Sequence, residues 1–167
     1  VGTDEQAIKD ALKGKSAAEI DVIKQAYFKR TGKNLDTELK SEMDGRDGFE
    51  VGLMMEGEPD PKDPDYAKKM LDRQKRKYEF DRGGAGETIP GFHHLSNFVT
   101  DSFSDSGKDL DAQQAELQKL QTILDKGGAL TQAQKDELGL VAKRQDADQE
   151  NYVEAKNEQY RRWRESM

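Results

Sequence analysis

Residues 31–45 read Thr31-Gly32-Lys33-Asn34-Leu35-Asp36-Thr37-Glu38-Leu39-Lys40-Ser41-Glu42-Met43-Asp44-Gly45. Leu35, Leu39 and Met43 recur at four-residue steps, the spacing that puts side chains on one face of an α-helix. Thr31-Gly32 before them and Asp44-Gly45 after them are stop signals, because glycine readily takes the left-handed conformation that ends a helix. The stretch therefore predicts one short helix set between two others. Upstream, Ser16 followed by Glu19 fits a capping box, in which a hydroxyl and a carboxyl satisfy the first unpaired amides of a helix, and Thr3 with Gln6 gives the same signature. Ile8 and Leu12 share a face of the first predicted helix; Ile20, Ile23 and Tyr27 recur along the second. Downstream, Phe49, Leu53 and Met54 suggest a short fourth helix, although the dense apolar cluster from Val51 to Met55 leaves its type open.

The remainder also predicts an all-α chain, in less regular form. Glu58-Pro59-Asp60-Pro61-Lys62-Asp63-Pro64 cannot sustain a helix, since each proline removes a donor and restricts the residue before it, and it reads as a linker. Tyr66 to Phe80 is a charged helix, which Arg82-Gly83-Gly84-Ala85-Gly86 ends as a flexible break. From Glu87 to Gly107 the signal is poor, with Phe92, Leu95, Phe98, Val99 and Phe103 able to line a short helix at most. Leu110, Leu117 and Leu124 then repeat every seven residues with Leu120 between, Gly127-Gly128 breaks the pattern, and Thr131 with Gln134 forms another capping box. This predicts a helical hairpin over residues 108–167. The seam of its second arm is almost entirely polar between Lys143 and Asn151, so that arm is expected to project, fray or need a partner. Three parts follow: a small bundle at 1–57, a proline-rich linker, charged helix and irregular segment at 58–107, and the hairpin at 108–167.

Composition narrows the function. Among 167 residues, 33% are hydrophobic and 37% charged, so the chain is poor in core-forming side chains. Its net charge of −7 is spread over all three parts, each mildly acidic, which excludes a generally cationic surface and leaves nucleic acid unexpected as a partner. With no cysteine, disulfides, thiol catalysis and cysteine-based zinc or iron–sulfur sites are excluded together. No apolar run approaches the roughly 18–20 residues of a membrane span. The start, Val1-Gly2-Thr3-Asp4, is neither a signal peptide nor an initiator methionine, and the chain reads as a piece of a longer protein.

Gly2-Thr3-Asp4-Glu5, then Ile8, Leu12, Tyr27, Gly32 and Leu35, and finally Leu39-Lys40-Ser41-Glu42-Met43-Asp44-Gly45 together resemble an annexin repeat, in order and without an evident gap. Phe49-Glu50 looks like the start of the repeat's last helix. Residues 1–57 thus resemble one annexin repeat lacking its first helix, and no second block of the kind occurs in the chain. The resemblance implies a calcium site in which backbone carbonyls of a glycine-rich loop and a distant acidic side chain surround the ion. Calcium is a hard cation that takes six to eight oxygens, and glycine lets carbonyls converge without side-chain clash. By position, Gly2 and Thr3 belong to the loop, Glu42 falls at the acidic ligand, and Glu5 matches a residue of a weaker accessory site. The resemblance further implies that calcium would bridge this acidic protein to anionic phospholipid.

Other groups carry weaker signals. His93-His94 are adjacent, so on a helix they point about 100° apart and make poor joint ligands. Gly83-Gly84-Ala85-Gly86-Glu87-Thr88 lacks the lysine and preceding strand of a phosphate loop. Lys68, Lys69, Arg73, Lys75, Arg76 and Lys77 form a basic patch interleaved with acids, which favours a solvated face with intrahelical pairs. The acids from Asp101 to Asp111 lack the ligand alternation of an EF-hand and read as loop and helix cap. Tyr160, Arg161, Arg162, Trp163 and Arg164 form an aromatic and basic tip expected to pack at the hairpin end.

No nucleophile signature is present, and an enzyme is not expected. Two function classes remain. One is a structural or interaction module that uses the annexin-like scaffold and docks through its hairpin onto a protein partner or other parts of a parent chain. The other is a calcium-dependent phospholipid-binding module. Annexin-like repeats also occur inside long microbial proteins, including secreted effectors, so the resemblance leaves a secreted or membrane-peripheral setting open.

Overall fold

A computed structural model describes the backbone of residues 5–84 and 104–167 and the side chains of residues 6–82 and 107–167. Seven α-helices and no strand occur among the described residues, and the fold class is all-α. They fall into two compact units, one up to Tyr66 and one from Ala67 on. The irregular segment expected after the glycine run, with Phe92, His93-His94, Leu95, Phe98, Val99 and Phe103, lies outside the described residues.

The first unit holds α1 (Glu5–Leu12), α2 (Ala17–Thr31), α3 (Leu35–Glu42) and α4 (Gly45–Glu56). The capping box before α2 is complete: Glu19 N–H donates to Ser16 Oγ at 3.2 Å, and Ser16 N–H to Glu19 Oε1 at 3.3 Å. Gly32 ends α2 at φ 71°, its N–H donating to Phe28 O. Asn34 caps α3 by accepting from Thr37 N–H at 3.1 Å. Leu12, Ile20, Leu39, Met43, Val51 and Met55 form one buried cluster, flanked by Ile8, Ile23, Leu35 and Met54. The apolar run Val51 to Met55 is thus one turn of a helix with Val51, Leu53 and Met55 buried. Lys9 of α1 adds ion pairs to Asp47 and Glu50 of α4, the latter at 2.7 Å.

The proline-rich segment after α4 is held to the bundle at its start. Glu58 N–H donates to Lys15 O at 2.7 Å, forming a parallel bridge beside Ser16. Asp60 and Asp63 then close side-chain turns on the amides of Lys62 and Asp65.

In the second unit, α5 (Tyr66–Glu79) runs into one π-helical turn (Phe80–Gly84), and α6 (Ser104–Asp125) pairs with α7 (Gln132–Ser166) as a hairpin. Thr131 and Gln134 form the capping box of α7, and Gly127, at φ 81°, lies in the break between the arms. Leu71 of α5 joins Leu117 and Leu120 of α6, Leu130, and Leu138 and Val141 of α7 in one core.

The structure revises the polar seam of α7. Gln145 and Gln149 are buried, and they are covered by α5 and α6. Gln74 Nε2 donates to Gln145 Oε1 at 3.0 Å, and Gln145 Nε2 donates to Gln114 Oε1 at 3.0 Å, which joins the three helices through matched amides. Gln149 Nε2 donates to Lys77 O at 2.9 Å and to Asp81. This stretch neither frays nor projects. Its partner is a helix whose amides match its own, consistent with the rule that buried polar groups stay only where they are bonded.

Candidate functional site

Four residues carry the calcium reading, and the structure describes the side chain of one. Gly2 and Thr3 lie outside the described residues, and Glu5 is described only as the backbone that opens α1. Glu42 is exposed and is the last residue of α3. Met43 closes that helix, its N–H donating to Leu39 O at 3.0 Å, and takes extended backbone, which turns the chain at Glu42. Asp44 follows at the N-cap position of α4 without a side-chain cap bond. Among the described residues no three histidine or acidic side chains come together as a metal cluster. Under the annexin resemblance the donors would be backbone carbonyls at Gly2 and Thr3 and carboxylates at Glu5 and Glu42, the oxygen types that a hard cation takes.

Beside Glu42 the first unit carries a feature the periodicity did not reveal. A cleft of about 930 Å³ opens between α2, α3 and α4. Leu39, Met43, Val51 and Met55 reach it from the core cluster, and Gly48 and Gly52 line it from α4. Its charged lining comprises Asp21, Asp36, Asp44 and Glu56 against Lys24 and Lys40, with Lys24 paired to Asp36 at 3.1 Å. The only advance signal was the pair of glycines four residues apart in α4, which leaves one stretch of that helix without side chains.

The second unit has a charged cluster where the π-turn meets the hairpin. Asp111 accepts from Arg82 Nε at 3.0 Å, from Arg82 Nη2 at 2.7 Å and from the Tyr78 hydroxyl at 2.7 Å. Arg82 also lies over the Tyr152 ring, 5.5 Å from its centroid, and Lys156 lies at 5.8 Å. Burial pushes the Asp111 carboxyl up, but the bonds from Arg82 and Tyr78 outweigh it and hold the group below the usual carboxylate range. Burial, then the bond to Asp111, pushes the Tyr78 hydroxyl up to about 12. Burial lowers Lys156. Two expectations change here: Arg82 is an anchored side chain at the head of the glycine run, and Asp111 is a bonded residue within α6.

Along α5 the expected solvated face with intrahelical pairs is met only in part. Arg76 pairs with Asp72 at 3.0 Å, Lys75 with Glu79 at 4.0 Å and Lys77 with Asp146 of α7 at 3.2 Å, while Arg73 is buried. The expected packing of the aromatic tip is not met at Trp163, which is 59% exposed, and Met167 beyond it is 86% exposed. Arg161 pairs with Glu158 and Glu165, and Arg162 with Glu158. Among the described residues no helix is long and apolar enough to cross a membrane.

The family model for annexins matches residues 1–54. That span covers the four helices of the first unit up to Met54, so this part of the chain is annexin-like in sequence. No curated protein and no solved structure matches the chain.

Proposed function

We propose that this chain is a non-enzymatic interaction module in which an annexin-like scaffold forms the first unit and the α6–α7 hairpin serves as a docking arm. The end of α7 carries the reading. Gln145, Gln149 and Tyr152 lie on the buried seam, and Lys156, Tyr160, Trp163 and Met167 continue it at steps of three and four. Trp163 and Met167 on that line are exposed. Large apolar side chains that continue a packed seam into solvent are characteristic of an interaction surface. The partner class is protein, including other parts of a longer secreted or effector-type parent. A photo-crosslinking residue at position 163 is expected to capture protein in the producing cell where the same residue at exposed Lys135 does not. Equal capture at both positions, or none at either, would sink the docking-arm reading.

A second reading is calcium-dependent binding to anionic phospholipid, favoured by the family match and by the exposed place of Glu42 at the end of α3. Gly2, Thr3, Glu5 and Glu42 would hold the ion, which would supply a positive bridge to phosphate. Sedimentation with phosphatidylserine vesicles should then require calcium and weaken about tenfold or more in Glu42→Gln, as expected for a lost bidentate ligand. Sedimentation indifferent to both calcium and the substitution excludes this reading.

A further inference from the structure

We infer that the chain associates with itself head to tail, the cleft between α2, α3 and α4 of one copy receiving the α7 end of a second copy. The inference rests on the docking-arm reading and names the occupant of that arm's site.

Each side offers what the other lacks. The cleft has an apolar floor of Leu39, Met43, Val51 and Met55, and at Gly52 an added Cβ would meet nothing within 4 Å, so the α4 wall admits a bulky side chain. Its volume of about 930 Å³ lies within the range of clefts that enclose a ligand. Its lining has more carboxylates than cations, since Lys24 is engaged by Asp36 and Asp44 makes no cap bond. The α7 end presents Tyr160, Trp163 and Met167 on one line, beside Arg161, Arg162 and Arg164. Glu158 and Glu165 pair with the first two arginines, and among the described residues Arg164 forms no ion pair. Tryptophan, tyrosine, methionine and arginine are the residues that dominate interface centres, and a surplus cation suits an acid-lined cleft.

Pairing between two α7 ends is the less favourable alternative. It would set the surplus cation Arg164 of one copy near that of the other, with no acid-lined wall to receive either, and like charges brought together at an interface are penalised. A cleft-to-end contact is heterologous, so each copy retains one unused cleft and one unused end, and association continues into rings or open chains.

Trp163 is the sole tryptophan, so its emission reports its own burial. In the full chain the emission is expected to shift to shorter wavelength as protein concentration rises, in step with larger species in sedimentation velocity, and salt should weaken both. Gly52→Leu fills the cleft at a helical position where leucine also improves helix propensity, so circular dichroism should be retained while association weakens about tenfold or more. Arg164→Glu should weaken it similarly, and adding Asp44→Arg to that variant should restore it. Emission independent of concentration, whether red or already blue in the monomer, overturns the inference. Association that Gly52→Leu leaves intact overturns it as well.

Discussion

Asp111 accepts three hydrogen bonds from two residues about thirty positions earlier in the chain, Tyr78 and Arg82. Because its carboxyl is held below the ordinary value, the folded state binds its proton less readily than the unfolded chain. The stabilisation is therefore present above the unfolded pKa of about 4 and is lost as pH falls through the lower folded value. Tyr78 works in the opposite sense: with its hydroxyl raised to about 12, its contribution is present below the ordinary value of about 10 and disappears as pH climbs through about 12. Thermal melts of Asp111→Asn should thus show a shallower acid decline than the parent, and those of Tyr78→Phe a shallower decline above pH 10. Unchanged slopes in both variants would show that the cluster contributes nothing to stability. None of this was legible in the sequence. Arg82 opens a glycine run that reads as a break, Asp111 sits among acids that read as a cap, and no local spacing links residues so far apart.

The helices themselves were more legible, because their signals are local. Ser16 with Glu19, Thr131 with Gln134, and Gly32 are cap chemistry written within four residues, and each is found in the structure. The polar seam around Gln145 was only half legible for the opposite reason: apolar periodicity can show that a seam turns polar and needs a partner, but not that Gln74 of another helix will meet it. The seam gives a test at the level of helix packing. Gln145→Leu removes one acceptor of Gln74, whose Nε2 still reaches Asp146 and Ala142 O, and the donor to Gln114, and should cost about 0.5–1.5 kcal/mol, the range for lost hydrogen bonds. Gln74→Leu combined with Gln145→Leu should cost less than the sum of the single changes, since both break the same bond and Gln74→Leu alone leaves Gln145 Oε1 without its donor. Urea denaturation of the four proteins measures the coupling, and strict additivity would mean that the two amides do not interact.

Among the described residues, two clusters of buried apolar side chains stand out, one in each unit. The core of α1 to α4 centres on Ile20, 1% exposed, and that of α5 to α7 on Leu117, also 1% exposed. Gly57 is a sensitive position in the first unit: it holds φ 84° and ψ 153°, a conformation nearly restricted to glycine, and a Cβ there would overlap backbone atoms of Ser16 and Ala17. Gly57→Ala must therefore displace the bridge between Glu58 and Lys15 as well as accept backbone strain, at a cost of about 2–4 kcal/mol. In the second unit, Leu117→Ala opens a cavity beside Leu71 and Leu138 and should cost about 2–5 kcal/mol. If each cluster supports its own helices, native-state hydrogen exchange should accelerate in α1 to α4 for Gly57→Ala and in α5 to α7 for Leu117→Ala, with the other set little changed. Equal acceleration of both sets by either substitution would mean that the two clusters unfold as one cooperative core, and the chain's small stock of apolar residues would then have to be counted as a single pool.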